Sequence, residues 1–283
     1  MATIEYMPAR LTPKETEDLR QAVACLEGAS FAQRLTDAVG RPVGMLSRAM
    51  PQSARRVIGH VSETALRGAL KLALRTLDLN ASAGPANRAH KLAAAASGAV
   101  GGALGLAALP FELPISTTIL LRSIAEIARE EGEDLSAPEA AFACVEVFAL
   151  GGQGGGESAF ESGYFTVRAA LAKSVNDSAR FVAAQGVAAL PAPVVARLIS
   201  QIAARFGMVV SEKVAAQAAP ILGAIGGAAV NAAFADHFQT LARGHFIVRR
   251  LERQHGAGVV AFEYQRLQGE RVREHAEGRR AAS

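Results

Sequence analysis

Two histidines in the C-terminal third of the sequence, His237 and His245, are the side chains best suited by type to bind a metal ion. A spacing of eight residues leaves them about 80° apart on one helix, whereas residues three, four or seven apart share a metal more readily. The sequence has no HExxH motif, so a metal site would need carboxylates from other helices, such as Glu112, Glu126 or Glu146. The simpler expectation is hydrogen-bonded or interfacial histidines, and we predict no metal and no cofactor.

Several carboxylates and arginines lie in apolar stretches, where an unpaired charge is costly. Ion pairs between helices are therefore expected in preference to acid–base chemistry, for Glu146 and Glu161 and for Arg168 and Arg205 as well. Glu112 stands apart because prolines on either side predict a helix break, with its carboxylate near the amides that start the next helix at Ser116 and Thr117. The candidate polar cluster consists of Glu112, Arg122, Glu126, Asp236, His237, His245 and Arg249.

Nucleophilic catalysis has no support in the sequence. The glycine-rich segment 151–156 lacks the GK[ST] ending of a phosphate-binding P-loop, so a flexible connector is the better interpretation. Ser158 and Ser162 lie outside any GxSxG motif. Cys25 and Cys144 form no CxxC motif and are expected to be reduced core thiols. Enzymatic activity is left undecided, and a noncatalytic protein is favoured.

Two apolar segments rich in glycine and alanine, residues 92–121 and 214–235, have the composition of closely packed helices. Ala and Gly provide little transfer free energy, and Pro110 and Pro114 interrupt the first segment, which argues against a simple transmembrane helix. GxxxG spacings predict that the two helices touch, either in a soluble core or as a partly inserted hairpin pair. The helix-packing glycines are Gly98, Gly101, Gly102, Gly105, Gly223, Gly226 and Gly227.

A basic stripe is predicted on the amphipathic stretch 53–79. Its members fall within about 100° of one another on a helical wheel. Glu63 beside Arg67 fits a solvated face with internal pairing, and contact with an anionic membrane surface or an acidic partner is the alternative. The basic stripe consists of Arg56, His60, Arg67, Lys71 and Arg75.

Helices are the elements that must position all these side chains. Thr12-Pro13-Lys14-Glu15 has the spacing of a capping box, and no segment alternates as a strand does. With 50% hydrophobic residues, 5% aromatics and no Trp, the core must be built mainly from Ala, Leu, Val and Ile. We predict an all-α, multi-helix bundle with two Gly/Ala-rich central helices packed together. Its parts are N-terminal helices (1–50), a helical domain (51–265) and a charged tail expected to fray (266–283).

The charge and the N-terminal sequence bear on location and partners. A formal net charge of +4 without a recognised motif gives no reason to expect nucleic acid as a partner. The first 20 residues mix acids, bases and prolines and lack the apolar stretch of a secretory signal. A cytoplasmic protein peripherally associated with a membrane is therefore expected.

Several motifs lie in 109–129, Gly132-Glu-Asp-Leu, 205–213, 219–228, Asp236-His-Phe and 244–252. Taken together, they resemble the EcsC family over roughly residues 53–264. The resemblance implies a helical protein from a family that is named for a protein encoded beside an ABC transporter and that has no established molecular function. A weaker similarity to a GTPase-associated membrane domain favours a helical module at the inner face of a membrane.

Two functions remain open at this point. The leading hypothesis is a noncatalytic accessory or regulatory protein at the cytoplasmic face of a membrane, with the membrane surface or a membrane protein such as an ABC transporter as partner. The alternative is a soluble metal-dependent hydrolase that uses His237, His245 and buried glutamates.

Overall fold

The computed structural model describes residues 11–39, 42–76, 108–152, 163–186, 190–217 and 223–281. Every regular element in these ranges is an α-helix, which confirms the predicted all-α bundle. The helices are α1 (Pro13–Leu26), α2 (Phe31–Val39), α3 (Val43–Arg48), α4 (Gln52–Thr76), α5 (Leu109–Glu130), α6 (Pro138–Leu150), α7 (Tyr164–Gln185), α8 (Pro193–Gln217), α9 (Gly223–His255) and α10 (Ala257–Ala281).

The predicted capping box begins α1. The Thr12 hydroxyl accepts from the Glu15 backbone N–H at 3.3 Å, and the Glu15 carboxylate accepts from the Thr12 backbone N–H at 2.8 Å. Pro13 occupies the first helical position, where its missing N–H costs nothing. Because the Thr12 N–H and then His255 stabilise the carboxylate, the pKa of Glu15 is lowered to about 2.

The centre of the bundle is formed by α6 and α9. Every residue of α6 from Ala140 to Leu150 is buried, as expected for a helix that is apolar on nearly all sides. The longer α9 packs against α1, α5, α6, α8 and α10. Between α6, α8 and α9 the rings of Phe148, Phe206 and Phe238 meet at centroid distances of 4.9 to 5.6 Å. Any polar side chain on the inner half of α9 must therefore find a partner on a neighbouring helix.

The helix break predicted around Glu112 is wrong. Helix α5 begins at Leu109 and continues through Pro114 to Glu130. Pro110 lies in the first turn, where no intrahelical donor is needed, and Pro114 deprives only the Pro110 carbonyl of its partner.

Of the helix-packing glycines, Gly223, Gly226 and Gly227 lie at the start of α9, in agreement with a helix over the second glycine-rich segment. Gly98, Gly101, Gly102 and Gly105 lie outside the described residues. The predicted contact between the two segments therefore stays a prediction.

Helices α1 and α9 approach each other closely at Gly244. A Cβ atom at this position would lie 2.7 Å from Leu26 Cγ and 3.0 Å from both the Ala22 carbonyl oxygen and Cys25 Cβ. We expect Gly244→Ala to lower the free energy of unfolding by about 1–3 kcal/mol, because one helix must move away from the other. Urea unfolding measures the change. Gly68→Ala is the matched control, since no atom lies within 4 Å of its Cβ position. This variant should not lower the free energy of unfolding. Equal losses of stability in both variants would contradict the close approach of α1 and α9.

Candidate functional site

The C-terminal half of α9 carries polar side chains that reach most of the neighbouring helices. Gln239 Nε2 donates to Ser123 Oγ of α5 at 2.8 Å. At the end of α9, His255 Nε2 lies 2.8 Å from a carboxylate oxygen of Glu15 in α1. These bonds fix the rotation of α9 about its axis and so determine where its histidines and arginines point.

Two bidentate ion pairs lie at the periphery of this network. Arg168 Nη1 and Nη2 donate to the two carboxylate oxygens of Glu252 at 2.8 and 2.9 Å. Arg249 Nε and Nη2 donate to Glu133 at 2.8 and 3.1 Å. Burial opposes ionisation of Glu133, but the hydrogen bond and charge of Arg249 outweigh it, so its pKa is lowered. The ion pairs predicted for Arg168 and Arg249 are confirmed, although the sequence does not identify Glu133 or Glu252 as their partners.

His245 lies at the centre of the network, and its side chain is fully buried. Its Nδ1 is hydrogen-bonded to the Tyr164 hydroxyl at 3.0 Å. The Tyr164 ring stacks on Tyr264 at 5.7 Å between centroids, and the Tyr264 hydroxyl donates to Glu27 at 2.9 Å. Burial, and then the positive charges of Arg168 and Arg249, hold the pKa of His245 well below its usual value. The imidazole is therefore neutral at physiological pH and links α9 to α7.

Glu146 is the carboxyl group of α6 that faces this network. Its side chain is buried and forms no hydrogen bond with any residue in the described part of the chain. Burial raises the pKa of Glu146 to about 7, against the attraction of Arg168 and Arg249. The pKa of Glu146 therefore lies near neutral pH, within the buried part of α6.

Glu112 takes part in a separate site, a buried ion pair between α5 and α8. Lys213 Nζ donates to Glu112 Oε1 at 2.6 Å, and the two side chains are only 1% and 6% exposed. The same ammonium lies 4.8 Å from the ring centroid of Phe234. Lys213, and not the amides near Ser116 and Thr117, supplies the partner because α5 continues without a break. The sequence gives no sign that Lys213 is buried.

The remaining members of the candidate polar cluster are scattered. Arg122 is exposed and Glu126 is half-buried on α5. Asp236 is exposed and lies 3.3 Å from Arg34 of α2. The structure thus brings Arg249 and His245 into one network and places Glu112, Arg122 and Asp236 elsewhere.

His237 packs among aromatic rings, away from His245. Its ring lies 5.2 Å from that of Phe31 and 5.3 Å from that of Phe238, and Gly151 leaves room for its Nε2. Burial and the charge of Arg34 lower the pKa of His237 to about 4. Among the residues that the structure describes, no group of three or more His, Cys, Asp and Glu side chains is arranged to hold a metal ion. The geometry gives the metal-hydrolase alternative no support.

The basic stripe lies on the outer face of α4, and all five of its members are exposed. Arg67 pairs with Glu63 at 2.7 Å, which is the internal pairing that the sequence predicts. Arg56, Lys71 and Arg75 form no ion pair with any residue inside the described ranges. Three cations without an ion pair among the described residues therefore project from one side of a 25-residue helix.

Large apolar side chains are also exposed on the bundle. Phe111 is 78% exposed and Ile115, one turn later on α5, is 54% exposed. Among the described helices, one, Pro193–Gln217, is long and apolar enough to cross a membrane by length and composition. Half of the most apolar stretch of this helix is buried in the structure. Its length and composition therefore fit a core helix as well as a membrane span.

Comparison with known proteins places this fold in a family. The model of the EcsC protein family matches residues 5–251. The chain belongs to the EcsC protein family. The match includes the N-terminal helices and so begins earlier than the resemblance read from the sequence. No curated protein and no solved structure matched the chain. In this EcsC protein the matched region ends within α9, at Leu251, and includes Arg249, His245 and the Glu112–Lys213 pair.

Proposed function

We propose that this EcsC protein is a noncatalytic accessory or regulatory factor at the cytoplasmic face of a membrane, acting beside a membrane protein such as an ABC transporter. The observation that carries the proposal is the exposed basic stripe on α4. Its opposite face is buried in the bundle at Ile58, Leu66 and Leu70, so the stripe faces outward on a rigid support. A helix with cations on its outer face is attracted to the anionic lipids of a cytoplasmic leaflet.

The polar networks inside the bundle support a noncatalytic role. Arg168, Arg249 and Lys213 are each held in an ion pair, and His245 is hydrogen-bonded in a fully buried position. Charged groups that are paired and shielded from solvent stabilise helix contacts. The ABC-transporter link rests on the family's naming protein and is part of the proposal.

Neutralising Arg56, Lys71 and Arg75 of the stripe should weaken membrane binding strongly. Near an anionic surface each Lys or Arg contributes about 1 kcal/mol, so Arg56→Gln, Lys71→Gln and Arg75→Gln combined should reduce partitioning onto anionic vesicles on the order of 100-fold. Sedimentation with vesicles of phosphatidylglycerol and phosphatidylcholine measures the partition coefficient. Binding should also fall as salt is raised, because these charges are exposed.

A matched control removes three exposed cations from a different surface. Lys173, Arg180 and Arg197 are exposed on α7 and α8, and replacing all three with glutamine changes the net charge by the same amount. This variant should retain binding within about threefold, since distant charges are screened. Equal losses in both variants, or full recovery of the natural protein in the soluble fraction with no vesicle binding, would exclude the stripe as a membrane surface.

A further inference from the structure

A cavity of about 570 Å³ opens between α2, α3, the start of α4 and α8, apart from the polar network on α9. This volume is in the range of small-molecule binding sites. Met45 of α3 and Met208 of α8 line it and are 69% and 46% exposed. Flexible methionine side chains adapt to apolar ligands of irregular shape. One side of the cavity is therefore suited to hydrocarbon.

Most polar groups of the cavity are already occupied by the protein itself. The hydroxyls of Thr36, Ser47 and Ser211 each donate to a backbone carbonyl one turn earlier. Arg55 donates through Nε and Nη2 to the backbone carbonyls of Met50 and Arg48 and so fixes the end of α3. Two charged groups in the lining, the carboxyl of Glu212 and the guanidinium of Arg48, remain to interact with a ligand.

Glu212 is the less satisfied of the two charges. Burial raises its pKa to about 7, and the N–H of Ala32 and the charge of Arg48 compensate only in part. A ligand ammonium would supply the missing positive charge inside the cavity, where water screens it less. Arg48 is exposed at the same cavity and would repel a purely cationic ligand. The complementary ligand therefore carries a cation and an anion together.

We propose that this cavity binds the headgroup of a phospholipid with a primary ammonium, placing the ammonium at Glu212, the phosphate at Arg48 and the first acyl carbons against Met45 and Met208. The geometry also fits the proposed membrane role, on which this inference rests, because Arg55 lines the cavity and the next residue, Arg56, begins the basic stripe. A lipid drawn partly from the bilayer would thus meet the cavity beside the membrane-facing side of α4. The stripe provides nonspecific attraction, and the cavity provides headgroup selection.

A tryptophan placed at the cavity rim reports binding directly, since the natural sequence has no Trp. We use Met45→Trp and titrate short-chain lysophosphatidylethanolamine below its critical micelle concentration. Lysophosphatidylcholine and lysophosphatidylglycerol of the same chain length are the comparison ligands. Saturable binding of the ethanolamine lipid, at least tenfold tighter than that of the glycerol lipid, is expected, because the glycerol headgroup has no cation for Glu212. Adding Glu212→Gln should remove this preference by weakening the binding of the ethanolamine lipid, and the glycerol lipid should bind no more weakly than before.

The pH dependence provides a readout that a merely structural role would not change. Raising the pH from 6 to 8 ionises Glu212 while the lipid ammonium stays protonated, so affinity for the ethanolamine lipid should rise severalfold. Glu212→Gln should abolish that rise. Arg48→Gln should weaken the binding of all three lipids to a similar extent, since each carries the phosphate.

Three outcomes would overturn the proposal. The first is an equal response from Phe262→Trp, a reporter on α10 that is 68% exposed and outside the cavity. The second is equal affinity for the ethanolamine and glycerol lipids. The third is equally strong competition by phosphoethanolamine without an acyl chain, which would replace the lipid with a soluble ligand. Monomeric lipids test the cavity without a bilayer, so loss of vesicle binding in stripe variants is a separate result.

Discussion

Replacing Glu112 with glutamine is expected to lower the free energy of unfolding by about 3–5 kcal/mol, because it leaves a buried ammonium without its counter-charge. Lys213 Nζ lies 2.6 Å from Glu112 Oε1, and its side chain is 1% exposed. Burial already lowers the pKa of Lys213, and Glu112 opposes that shift. Without Glu112, Lys213 must either remain charged in an apolar site or lose its proton on folding. Urea unfolding at pH 7 measures the cost.

The double variant separates the free energy of the ion pair from the contributions of the two individual side chains. Lys213→Met alone should cost a similar amount, since it leaves the Glu112 carboxylate buried without its partner. Combining Glu112→Gln with Lys213→Met removes both charges and should recover most of the stability that each single variant loses. The coupling free energy between the two side chains should then be about 3 kcal/mol or more, at or above the upper end of the usual range for neighbouring residues. The double variant loses the contact between the Lys213 ammonium and the Phe234 ring, 4.8 Å from the ring centroid, so recovery should be incomplete.

An exposed pair on α4 is the control. Arg67 and Glu63 lie 2.7 Å apart at the surface, so Glu63→Gln should change the free energy of unfolding by less than about 1 kcal/mol. A cost for Glu112→Gln as small as that of Glu63→Gln would contradict a buried pair. So would a double variant that is less stable than either single one.

The sequence predicts the helices well because their signals are local. The capping box at Thr12 and Glu15 involves residues three apart and is present as expected. The stripe on α4 follows from the helical period alone, and its members are all exposed. The break around Glu112 is the instructive error, because the cost of a proline depends on its position in the helix. Pro110 lies in the first turn of α5, where its missing N–H costs nothing, and Pro114 removes one hydrogen bond from a helix that continues to Glu130.

Partners of the polar side chains could not be predicted, because they are distant in sequence. Lys213 and Glu112 are 101 residues apart, and Arg249 and Glu133 are 116 apart. The sequence indicates that such charges need partners but not which ones, since that depends on helix rotation and tertiary packing. Similarly, nothing local distinguishes Glu212, at a cavity, from other glutamates on amphipathic helices.

Replacing Glu146 with glutamine should make the protein more stable at alkaline pH and leave its stability nearly unchanged at pH 5. Burial raises the pKa of Glu146 from its ordinary value of 4.5 to about 7. Between these two values the folded state binds more protons than the unfolded state, so ionisation of Glu146 progressively destabilises the natural protein as pH rises. A shift of this size corresponds to about 3 kcal/mol above pH 7, at about 1.4 kcal/mol per unit. Glutamine keeps the shape of the side chain and cannot ionise.

Urea unfolding of both proteins from pH 5 to pH 9 measures the difference, and taking the difference cancels the titration of all other groups that the substitution leaves unchanged. The advantage of Glu146→Gln should grow between about pH 5 and pH 7 and then level off. Glu139→Gln is the control on the same helix: Glu139 is exposed in the first turn of α6, so its effect should stay below about 1 kcal/mol throughout. A constant difference for Glu146→Gln, or one that falls with pH, would mean that Arg168 and Arg249 keep Glu146 ionised in the folded protein. The carboxyl would then be a third member of the ion-pair network on α9, and its removal would destabilise the bundle.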